Sequence, residues 1–415
     1  MIKRIKVQNF KSLRQVDIPL GRMNLFIGAN ASGKSNLLDA LRLLQGIGNG
    51  FTISEILDGR PRSATTEVWE GIRGGSARAR FTDGETGGEI SLAASGNLFG
   101  VADLGADCPR PKVPWEFGIA FTPHDGRVTW EKLSVINDLY ESPSGSGRAT
   151  AEPVIEVRYY TGRKSRPPHL KFERSRPVLG QFAAGNGKWN KAHAEYAVAV
   201  ARLLANVQRV DPAPALLRGY SQAHTIRRMG EHGENFAALV RTLCQDASAK
   251  DAYLSWLKQL RPAEIDDVGT LSGAVGEPLF MLKEGGQHFP APVLSDGTLR
   301  FAAITAACFQ PEMPAITTIE EIENGIHASR LRLLVELLRN RAAAGRTQIM
   351  ATTHSPIVLA WLKPEEYATT FFCHRDEQTG ASQIVPLTQV PHFNEVVRRQ
   401  PISDLFAEGW LEAAL

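Results

Sequence analysis

The sequence has few cysteines, no long apolar run and little excess charge, and each of these features excludes a class of protein. Its four cysteines are far apart and show no metal-ligand spacing: Cys108, Cys244, Cys308 and Cys373. This pattern predicts free thiols in a reducing compartment, with neither zinc nor disulfides. No stretch approaches the roughly 18 uninterrupted apolar residues of a membrane span, and the N-terminus reads as a strand rather than a signal peptide. We therefore expect a cytoplasmic protein with no membrane partner.

Charge and periodicity give further exclusions. The formal net charge is +3 with 22% charged residues, so nucleic-acid binding would require a local basic patch. The sequence shows no internal repeat and no heptad run long enough for a coiled coil. With 415 residues and 43% hydrophobic content, the chain can bury a large core divided into about two or three domains.

The first positive signal is a complete phosphate-binding loop, Gly28-Ala29-Asn30-Ala31-Ser32-Gly33-Lys34-Ser35. It follows the apolar run 23–27 and opens the helical stretch Asn36 to Gln45, which is the context that this motif requires. The glycines let the backbone wrap around an oxyanion, and Lys34 adds positive charge near the terminal phosphates. Ser35 can then hold a magnesium ion.

The middle of the chain has a different pattern. Two N-terminal strands are expected at Ile2 to Val7 and Val16 to Leu20, and short alternating runs from Val68 to about Tyr160 predict an antiparallel sheet. The segments 145–151 and 162–177 look like exposed loops. Between Lys191 and Leu260 the apolar period becomes helical, which predicts a helical insert.

In the last third, strands and helices alternate, which favours a largely parallel sheet with helices on its faces. We place strands at Leu279–Lys283, Ala315–Glu320, Gln348–Thr353, Thr369–His374 and Gln383–Leu387, and helices at Thr298–Phe309, Ala328–Ala344 and Ile357–Trp361. The expected fold class is α/β, with a split nucleotide-binding fold, an antiparallel β subdomain and an inserted helical subdomain. The expected domains are 1–60 with the phosphate loop, 61–160 as the antiparallel subdomain, 161–277 as a basic loop and helical subdomain, and 278–415 as the rest of the nucleotide fold.

Three later segments carry further chemistry. Ser295 and Gly297, in Leu294-Ser295-Asp296-Gly297-Thr298, precede a helix and suit an anion; the alternative, which the motif alone would favour, is an ordinary Ser/Asp helix cap. The apolar strand from Ala315 ends in Glu320 and Glu321, which indicates a cation or a reacting water; the alternative is a solvated strand end. His354 ends the next strand, where it is either structural or a hydrogen-bond donor to a terminal phosphate.

Taken in order, these four segments resemble the ATP-binding cassette pattern of Walker A, signature loop, Walker B with its catalytic Glu, and switch His. The segments Asn9-Phe10-Lys11-Ser12-Leu13, Gly33-Lys34-Ser35-Asn36 and Glu321-Ile322-Glu323-Asn324-Gly325-Ile326-His327 are similar to the recombination-mediator, chromosome-maintenance and overcoming-lysogenization-defect ATPases. Gly233-Glu234-Asn235-Phe236-Ala237 and the C-terminal Asp404-Leu405-Phe406-Ala407-Glu408-Gly409-Trp410-Leu411 resemble the compact AAA-type members of that group. Residues 60–190 match only in general character.

The resemblance implies a fold of the P-loop, ABC ATPase type and a role for each matched residue. Lys34 and the loop amides would hold the β- and γ-phosphates, Glu321 would polarise the attacking water, and His354 would sense the γ-phosphate. Ser35 and Glu320 would hold magnesium. The nucleotide-binding set implied in this way is Gly28, Asn30, Ser32, Gly33, Lys34, Ser35, Asn36, Ser295 and Gly297.

Two features depart from the pattern. Glu320 stands where the wider cassette pattern prefers Asp, so the metal geometry and the turnover rate are less defined than nucleotide binding. The usual glutamine between the lobes is not clear, and Gln181 is the candidate for it.

The resemblance also implies partners. Ser295 and Gly297 would cap the γ-phosphate of ATP bound to a second subunit, so the site is complete only in a two-fold homodimer or a higher even oligomer. A stretch rich in basic and aromatic residues could bind double- or single-stranded DNA, with a solvated loop as the alternative: Arg158, Tyr159, Tyr160, Arg163, Lys164, Arg166, His169, Lys171, Phe172, Arg174 and Arg176.

The leading interpretation is an ATP-hydrolysing switch in DNA maintenance or anti-phage defence, acting beside a separate nuclease or toxin effector. Only 61 residues follow His354, too few for the nuclease domain that lysogenization-defect relatives carry, so we expect any nuclease to be another protein. The alternative is an ATP-dependent scaffold with little turnover. A transporter ATPase is disfavoured by the N-terminal sequence and the form of the Walker B segment. A hexameric ring ATPase is disfavoured because 281 positions separate Ser35 from Ile316.

Overall fold

The computed structural model describes residues 1–60, 69–82, 88–98, 112–142, 152–161, 167–185, 189–260 and 264–415. Among the features expected from the sequence, Cys108, the loop 145–151 and residues 162–166 of the basic stretch lie outside the described residues.

Seventeen strands are found in the described residues. They are β1 (Ile2–Phe10), β2 (Leu13–Pro19), β3 (Met23–Ile27), β4 (Ile90–Leu98), β5 (Val113–Thr122), β6 (Arg127–Val135), β7 (Asn137–Glu141), β8 (Val154–Tyr159), β9 (His169–Glu173), β10 (Val207–Val210), β11 (Ile265–Ser272), β12 (Pro278–Glu284), β13 (Gln287–Pro290), β14 (Ile316–Ile319), β15 (Gln348–Thr353), β16 (Thr370–Arg375) and β17 (Ser382–Pro386).

The α-helices of the same residues number thirteen. They are α1 (Lys34–Gly48), α2 (Ile53–Asp58), α3 (Val178–Ala183), α4 (Lys191–Ala205), α5 (Pro214–Leu217), α6 (Phe236–Leu243), α7 (Ala247–Lys258), α8 (Asp296–Phe309), α9 (Ala328–Ala343), α10 (Pro356–Leu359), α11 (Phe393–Val396), α12 (Ile402–Ala407) and α13 (Trp410–Ala413).

The N-terminal hairpin of β1 and β2 belongs to an antiparallel sheet. Alternation of buried apolar and exposed charged residues along β1 gives the strand one core-facing side, and Val7 pairs with Val16. The other edge of β1 pairs with β4, so the hairpin forms one end of an eight-stranded sheet in the order β2-β1-β4-β5-β6-β7-β8-β9. The sheet predicted between Val68 and Tyr160 therefore extends further in both directions along the chain.

The far edge of that sheet corrects one expectation. Residues 162–177 were expected to form an exposed loop, but β9 lies within them and pairs with β8. Phe172 faces the core at 8% exposure. Arg174 is also buried, and its guanidinium donates to the carbonyl oxygens of Val154 and Val128 at 3.1 Å each. A basic residue that satisfies buried carbonyls in this way has a structural role.

The second sheet has six strands in the order β10-β14-β15-β3-β16-β17. Its central strands β14, β15 and β3 are parallel, with Ile319 opposite Ala351 and Thr353 opposite Ile27. Every residue of β14 and β15 is buried, as expected for parallel strands covered on both faces. The carboxyl ends of these three strands therefore lie at one edge of the sheet.

Two other expectations for this region need correction. The segment Leu279–Lys283 was assigned to the parallel sheet, but β12 is the centre of a separate antiparallel sheet, β11-β12-β13. The reason is the two-residue turn Gly285-Gly286, whose positive φ angles of 54° and 81° close a tight hairpin. The predicted helical insert is also interrupted, because β10 joins the edge of the six-stranded sheet.

The chain divides into two compact units. Unit 1 comprises Met1–Gly21, Gly28–Val207 and Phe372–Val385, and unit 2 comprises Arg22–Ile27, Gln208–Phe371 and Pro386–Leu415. In unit 1, the aromatic rings of Tyr140, Tyr159 and Trp189 pack around Phe182, with centroids 4.5 to 5.7 Å away. In unit 2, α8 is buried from Thr298 to Cys308 and packs with α5, α6, α7 and α9.

Candidate nucleotide site

The phosphate loop, residues 28–35, is held in unit 1 by close backbone packing. Gly28 and Gly33 have φ angles of 152° and 103°. A Cβ at Gly28 would overlap the carbonyl oxygen of Cys373, and a Cβ at Gly33 would overlap the hydroxyl of Ser382. Both positions therefore require glycine for reasons of space as well as conformation.

The start of α1 is suited to an anion. Its N-cap is Gly33, which has no side chain to accept a hydrogen bond from the first-turn amides, and that turn contains no acidic residue. Amide groups at a helix N-terminus carry partial positive charge, so an oxyanion is stabilised there. Lys34 is buried, and its ammonium donates to the carbonyl oxygens of Gly28 and Ala29 at 2.7 Å each. The predicted cation thus lies inside the curve of the loop.

The turn between β1 and β2 supports this loop. The hydroxyl of Ser12 lies 2.6 Å from that of Ser382 and accepts a hydrogen bond from the amide of Asn36 at 2.7 Å. Lys11 forms an ion pair with Asp39, a buried residue of α1. The Asn36 side chain is therefore engaged with the β1–β2 turn, and its predicted contact with nucleotide stays a prediction, as do those of Asn30 and Ser32.

In unit 2, the carboxyl edge of the parallel strands gathers the other predicted residues. Glu320 and Glu321 follow β14, and His354 follows β15. The last residue of β3, Ile27, pairs with Thr353, and the phosphate loop begins at the next residue of the chain. Ligands of open α/β folds bind beyond the carboxyl ends of strands, so the edge is positioned for ligand chemistry.

Glu321 adopts a left-handed backbone conformation with a φ angle of 47°, which is uncommon for a residue with a Cβ. Its backbone N–H donates to the hydroxyl of Thr352 at 2.9 Å, and the next amide, that of Ile322, donates to the Thr352 carbonyl at 3.1 Å. Thr352 is buried on β15 and holds this turn. Conformations of this kind cluster at functional sites.

Glu320 faces a group of charged side chains. Arg209 on β10 lies 3.6 Å from the Glu320 carboxylate and 3.0 Å from that of Glu231. Arg300 on α8 is buried and donates to the backbone carbonyl of Glu320 at 3.3 Å. Its guanidinium also donates to Asp211, after β10, at 3.2 Å. Through the contact with Glu320, Arg300 links α8 to the Walker B turn.

The signature segment forms a helix cap. Ser295 is the N-cap of α8, and its hydroxyl accepts a hydrogen bond from the Thr298 amide at 3.3 Å. The helix-cap alternative is thus realised, while the contact of Ser295 with a partner's phosphate stays a prediction. A Cβ on Gly297 would lie 2.6 Å from the Gly325 carbonyl oxygen, so glycine permits close approach between this segment and the turn after Glu321.

Gln181 has a local role in unit 1. Its side chain accepts from the Glu173 amide at 3.0 Å and donates to the Glu173 and Arg176 carbonyls at 2.9 and 3.1 Å, which closes the connection between β9 and α3. These contacts explain the residue without a link between lobes.

The described part of the basic stretch is partly neutralised. Lys171 and His169 on β9 lie 3.3 and 3.6 Å from the carboxylate of Glu156 on β8. Arg176 lies 3.8 Å from Glu173. Paired, exposed charges of this kind are typical of a solvated sheet face, which is the alternative that the sequence left open.

Several residues that contact the predicted ones within each unit were given no role in the sequence analysis. They are Arg209, Arg300, Glu323 and Thr352 in unit 2, and Ser12 and Ser382 in unit 1. Three of them had a visible signal: Ser12 stands in the segment that begins at Asn9, Glu323 stands two residues after Glu321, and Thr352 stands two residues before His354. The others come from elements whose pairing partners are distant in the chain.

The parallel strand leading into a glycine-rich phosphate loop, and the acidic and histidine strand ends beside it, define a P-loop ATPase of the ABC type. The protein family described as "AAA domain, putative AbiEii toxin, Type IV TA system" matches residues 23–360, and the chain belongs to this family. The expected AAA family and the expected α/β fold class are confirmed. The likeness to lysogenization-defect and chromosome-maintenance ATPases is supported by a short sequence match and by a shared fold.

Two curated relatives and one solved structure are similar to the chain. An ATP/GTP phosphatase of Helicobacter pylori is 21% identical over 407 residues, covering 94% of this chain and 95% of that protein. An OLD nuclease of Thermus scotoductus is 41% identical over 46 residues, which cover 11% of this chain and 9% of the nuclease. A crystal structure of an Smc head bound to the C-winged helix domain of ScpA shares the fold, with a TM-score of 0.50, 13% identity, and coverage of 92% of this chain and 96% of that one. Among the described residues, none of the helices has the length and apolarity needed to cross a bilayer.

Proposed function

We propose that this ATPase hydrolyses ATP to ADP and phosphate and uses the reaction to switch a two-fold dimer between closed and open forms. The observation that supports the proposal is the carboxyl edge of β3, β14 and β15. From this edge one strand leads into the phosphate loop, and the other two lead into Glu320, Glu321 and His354.

Each residue would act through its own chemistry. Lys34 and the first amides of α1 would bind the β- and γ-phosphates, since the loop offers one cation and a helix N-terminus without acidic neighbours. Glu321 would accept a proton from the attacking water, and His354 would contact the γ-phosphate. Magnesium would be held by Ser35 and Glu320, and when bound it would offset charge that develops on the phosphate oxygens. The oxygen donors of both residues suit that ion.

The proposed dimer follows from the signature segment. Ser295 is exposed at the N-terminus of α8, and Gly297 is kept small by the Gly325 carbonyl. A partner's γ-phosphate seated there would stabilise the closed dimer, and its removal would release it. ATP thus acts as a ligand with different affinities for two assembly states.

The first test replaces Glu321 by Gln. The variant is expected to bind ATP, to lose turnover and to accumulate dimers, because the ligand stays while its hydrolysis stops. Light scattering coupled to gel filtration with saturating ATP measures the mass, and steady-state phosphate release measures turnover. Glu395→Gln, at an exposed position, is the matched control. A monomer at saturating ATP would argue against the dimer.

The second test replaces Lys34 by Ala. This variant is expected to lose nucleotide affinity, measured by calorimetry, because the buried ammonium is the cation of the loop. Lys191→Ala removes a lysine whose side chain is 92% exposed and should bind as the wild type does. Retained affinity in Lys34→Ala would exclude the loop from the site.

A second candidate function is an ATP-dependent scaffold with little turnover. Arg209 lies 3.6 Å from Glu320, and a cation at this distance competes with a metal for the same carboxylate. Phosphate release by the wild type separates the two functions. Absence of release with retained ATP-dependent assembly would favour the scaffold.

The biological setting is proposed from the comparisons. The OLD nuclease and Smc head likenesses support a role in DNA maintenance or anti-phage defence, with a separate nuclease or toxin as effector. Binding to double- and single-stranded DNA with ATP, at two salt concentrations, tests the DNA partner, since phosphate contacts weaken steeply with salt. Proteins that copurify with the chain identify the effector, and salt-insensitive or absent DNA binding would remove DNA from the proposal.

A further inference from the structure

We propose that Glu323 is a positioning residue that sets the place and orientation of the His354 imidazole for contact with the γ-phosphate. This inference rests on the proposed function, because it assigns to Glu323 a part in the same site. Glu323 belongs to the turn after β14, and His354 directly follows β15. Both residues lie in unit 2.

A single carboxylate oxygen of Glu323 faces two groups of His354. The backbone N–H of His354 donates to Oε1 at 2.7 Å, and the imidazole Nδ1 lies 3.0 Å from the same oxygen. One fixed point therefore constrains both the main chain and the ring. A side chain held at its backbone and at one ring atom has little rotamer freedom left to lose when a ligand binds.

The environment of Glu323 adds to this argument. Its side chain is 10% exposed, whereas the His354 side chain is 45% exposed. The second oxygen, Oε2, is buried and has no hydrogen-bond partner among the described residues. A buried carboxylate costs free energy unless it is paired, so its contacts with His354 are where that cost is offset. The pair is thus an inner carboxylate holding an outer, accessible imidazole.

The orientation has a chemical consequence. An ionised carboxylate only accepts hydrogen bonds, so the nitrogen facing Glu323 carries a proton. Nδ1 therefore faces inward, and Nε2, on the opposite side of the ring, faces away from Glu323. Nε2 is then the ring nitrogen that remains available to a phosphate oxygen.

Two hydrogen bonds connect the turn after β14 with the end of β15. Thr352, two residues before His354, accepts from the Glu321 amide at 2.9 Å, while Glu323, two residues after Glu321, accepts from the His354 amide at 2.7 Å. The turn carrying the proposed base and the strand carrying the proposed phosphate sensor are thus bonded in both directions.

The test compares ATP with ADP, because His354 is proposed to touch only the γ-phosphate. Glu323→Ala should reduce kcat/KM for ATP by about tenfold, the order expected for loss of a charged hydrogen bond. The inhibition constant of ADP should stay within about twofold of the wild type. Glu323→Gln keeps one acceptor oxygen, so its kcat/KM for ATP should lie between those of the wild type and Glu323→Ala.

A double-mutant cycle shows whether Glu323 acts through His354. His354→Ala alone should reproduce the loss, and adding Glu323→Ala to it should reduce kcat/KM no further. Glu395→Ala is the matched control, because Glu395 faces the His392 ring at 3.7 Å with both side chains about three-quarters exposed. Glu395→Ala should leave both kcat/KM for ATP and the inhibition constant of ADP unchanged.

Several results would overturn the inference. They are an unchanged kcat/KM in Glu323→Ala, an equal loss for ADP, or losses that add in the double variant. Circular dichroism and the unfolding midpoint show whether Glu323→Ala is folded, and Glu323→Gln replaces it in the cycle if it is not. Failure of the proposed function is seen separately, as absent hydrolysis in the wild type or retained ATP affinity in Lys34→Ala. If the wild type does not hydrolyse ATP, the ratio of the ATP and ADP dissociation constants is compared between wild type and Glu323→Ala instead of kcat/KM.

Discussion

Glu131 is a fully buried carboxylic acid in unit 1, and its titration predicts how stability depends on pH. Its carboxyl group accepts hydrogen bonds from the Tyr140 hydroxyl at 2.8 Å and from the Val178 and Leu179 amides at 2.8 and 2.6 Å. These two amides open α3, so Glu131 joins β6 to that helix. Burial raises the pKa of Glu131 to about 7 from an ordinary 4.5, and the three donors act in the opposite direction.

The sign of the effect follows from proton binding. Below pH 4.5 Glu131 is protonated in both the folded and the unfolded chain, and its contribution to the free energy of unfolding is fully present. As the pH rises from 4.5 to 7, the unfolded chain releases the proton while the folded chain keeps it, which favours unfolding. The difference between about 7 and 4.5 corresponds to a loss of about 3 kcal/mol above pH 7.

Replacement of Glu131 by Gln isolates this contribution, because the amide is neutral at every pH. Native-state hydrogen exchange of peptides from β6 and α3 measures local stability, and comparison at equal pH cancels the intrinsic exchange rate. Between pH 4.5 and pH 8, the wild type should lose about two orders of magnitude in protection relative to Glu131→Gln. Glu116→Gln, at an exposed position of β5, should show no such change.

A constant difference between wild type and Glu131→Gln across this range would refute the reasoning. It would mean that the folded protein holds Glu131 ionised at acidic pH. The three donors would then outweigh the cost of burial, and the carboxylate would be a charged cap for α3.

The remaining predictions concern unit 2. Gly297→Ala should lower the free energy of unfolding by about 1–3 kcal/mol, because its Cβ would lie 2.6 Å from the Gly325 carbonyl oxygen. Thermal unfolding compares it with the control Gly219→Ala, whose Cβ would lie 3.5 Å from the Leu216 carbonyl oxygen. Equal unfolding midpoints for the two variants would contradict this prediction. Arg300→Met should cost about 3 kcal/mol, because the buried Pro212 carbonyl and the half-buried Asp211 and Glu320 acceptors lose their donor. Arg332→Met, in an exposed pair, should cost about 0.5 kcal/mol or less. Equal urea midpoints for these two variants would be inconsistent with a linking role for Arg300.

Short-range patterns predicted the parts of the fold in which pattern and environment coincide. The bounds of β15 were predicted as Gln348–Thr353 and are found there. This fully buried strand lies between a turn that contains Gly345 and the proline Pro356, so both of its ends have local signals. The phosphate loop was equally local, because spacing alone defines it.

Pairing partners could not be read in the same way. The alternating pattern of β1 predicted a strand but not its pairing with β4, more than 80 positions further along the chain. The Gly285-Gly286 turn is a hairpin signal, but the alternation of strands and helices in the last third of the chain led us to expect Leu279–Lys283 in the parallel sheet. In the site, the spacing of Glu321 and Glu323 was visible, but the contact of Glu323 with His354 depends on the register between β14 and β15.

That register also bears on the Glu at position 320, the main departure from the cassette pattern. An Asp side chain at the end of β14 would stop one methylene short of the Glu320 carboxylate, which lies 3.6 Å from Arg209. Arg209 is held in turn by Glu231 at 3.0 Å, and Arg300 holds the Glu320 backbone from the other side. The longer residue is therefore matched to a neighbouring strand that supplies a cation. In the proposed magnesium site, the Arg209 guanidinium would draw on the same Glu320 carboxylate as the ion, so β10 as well as the Walker B strand would tune the affinity for magnesium.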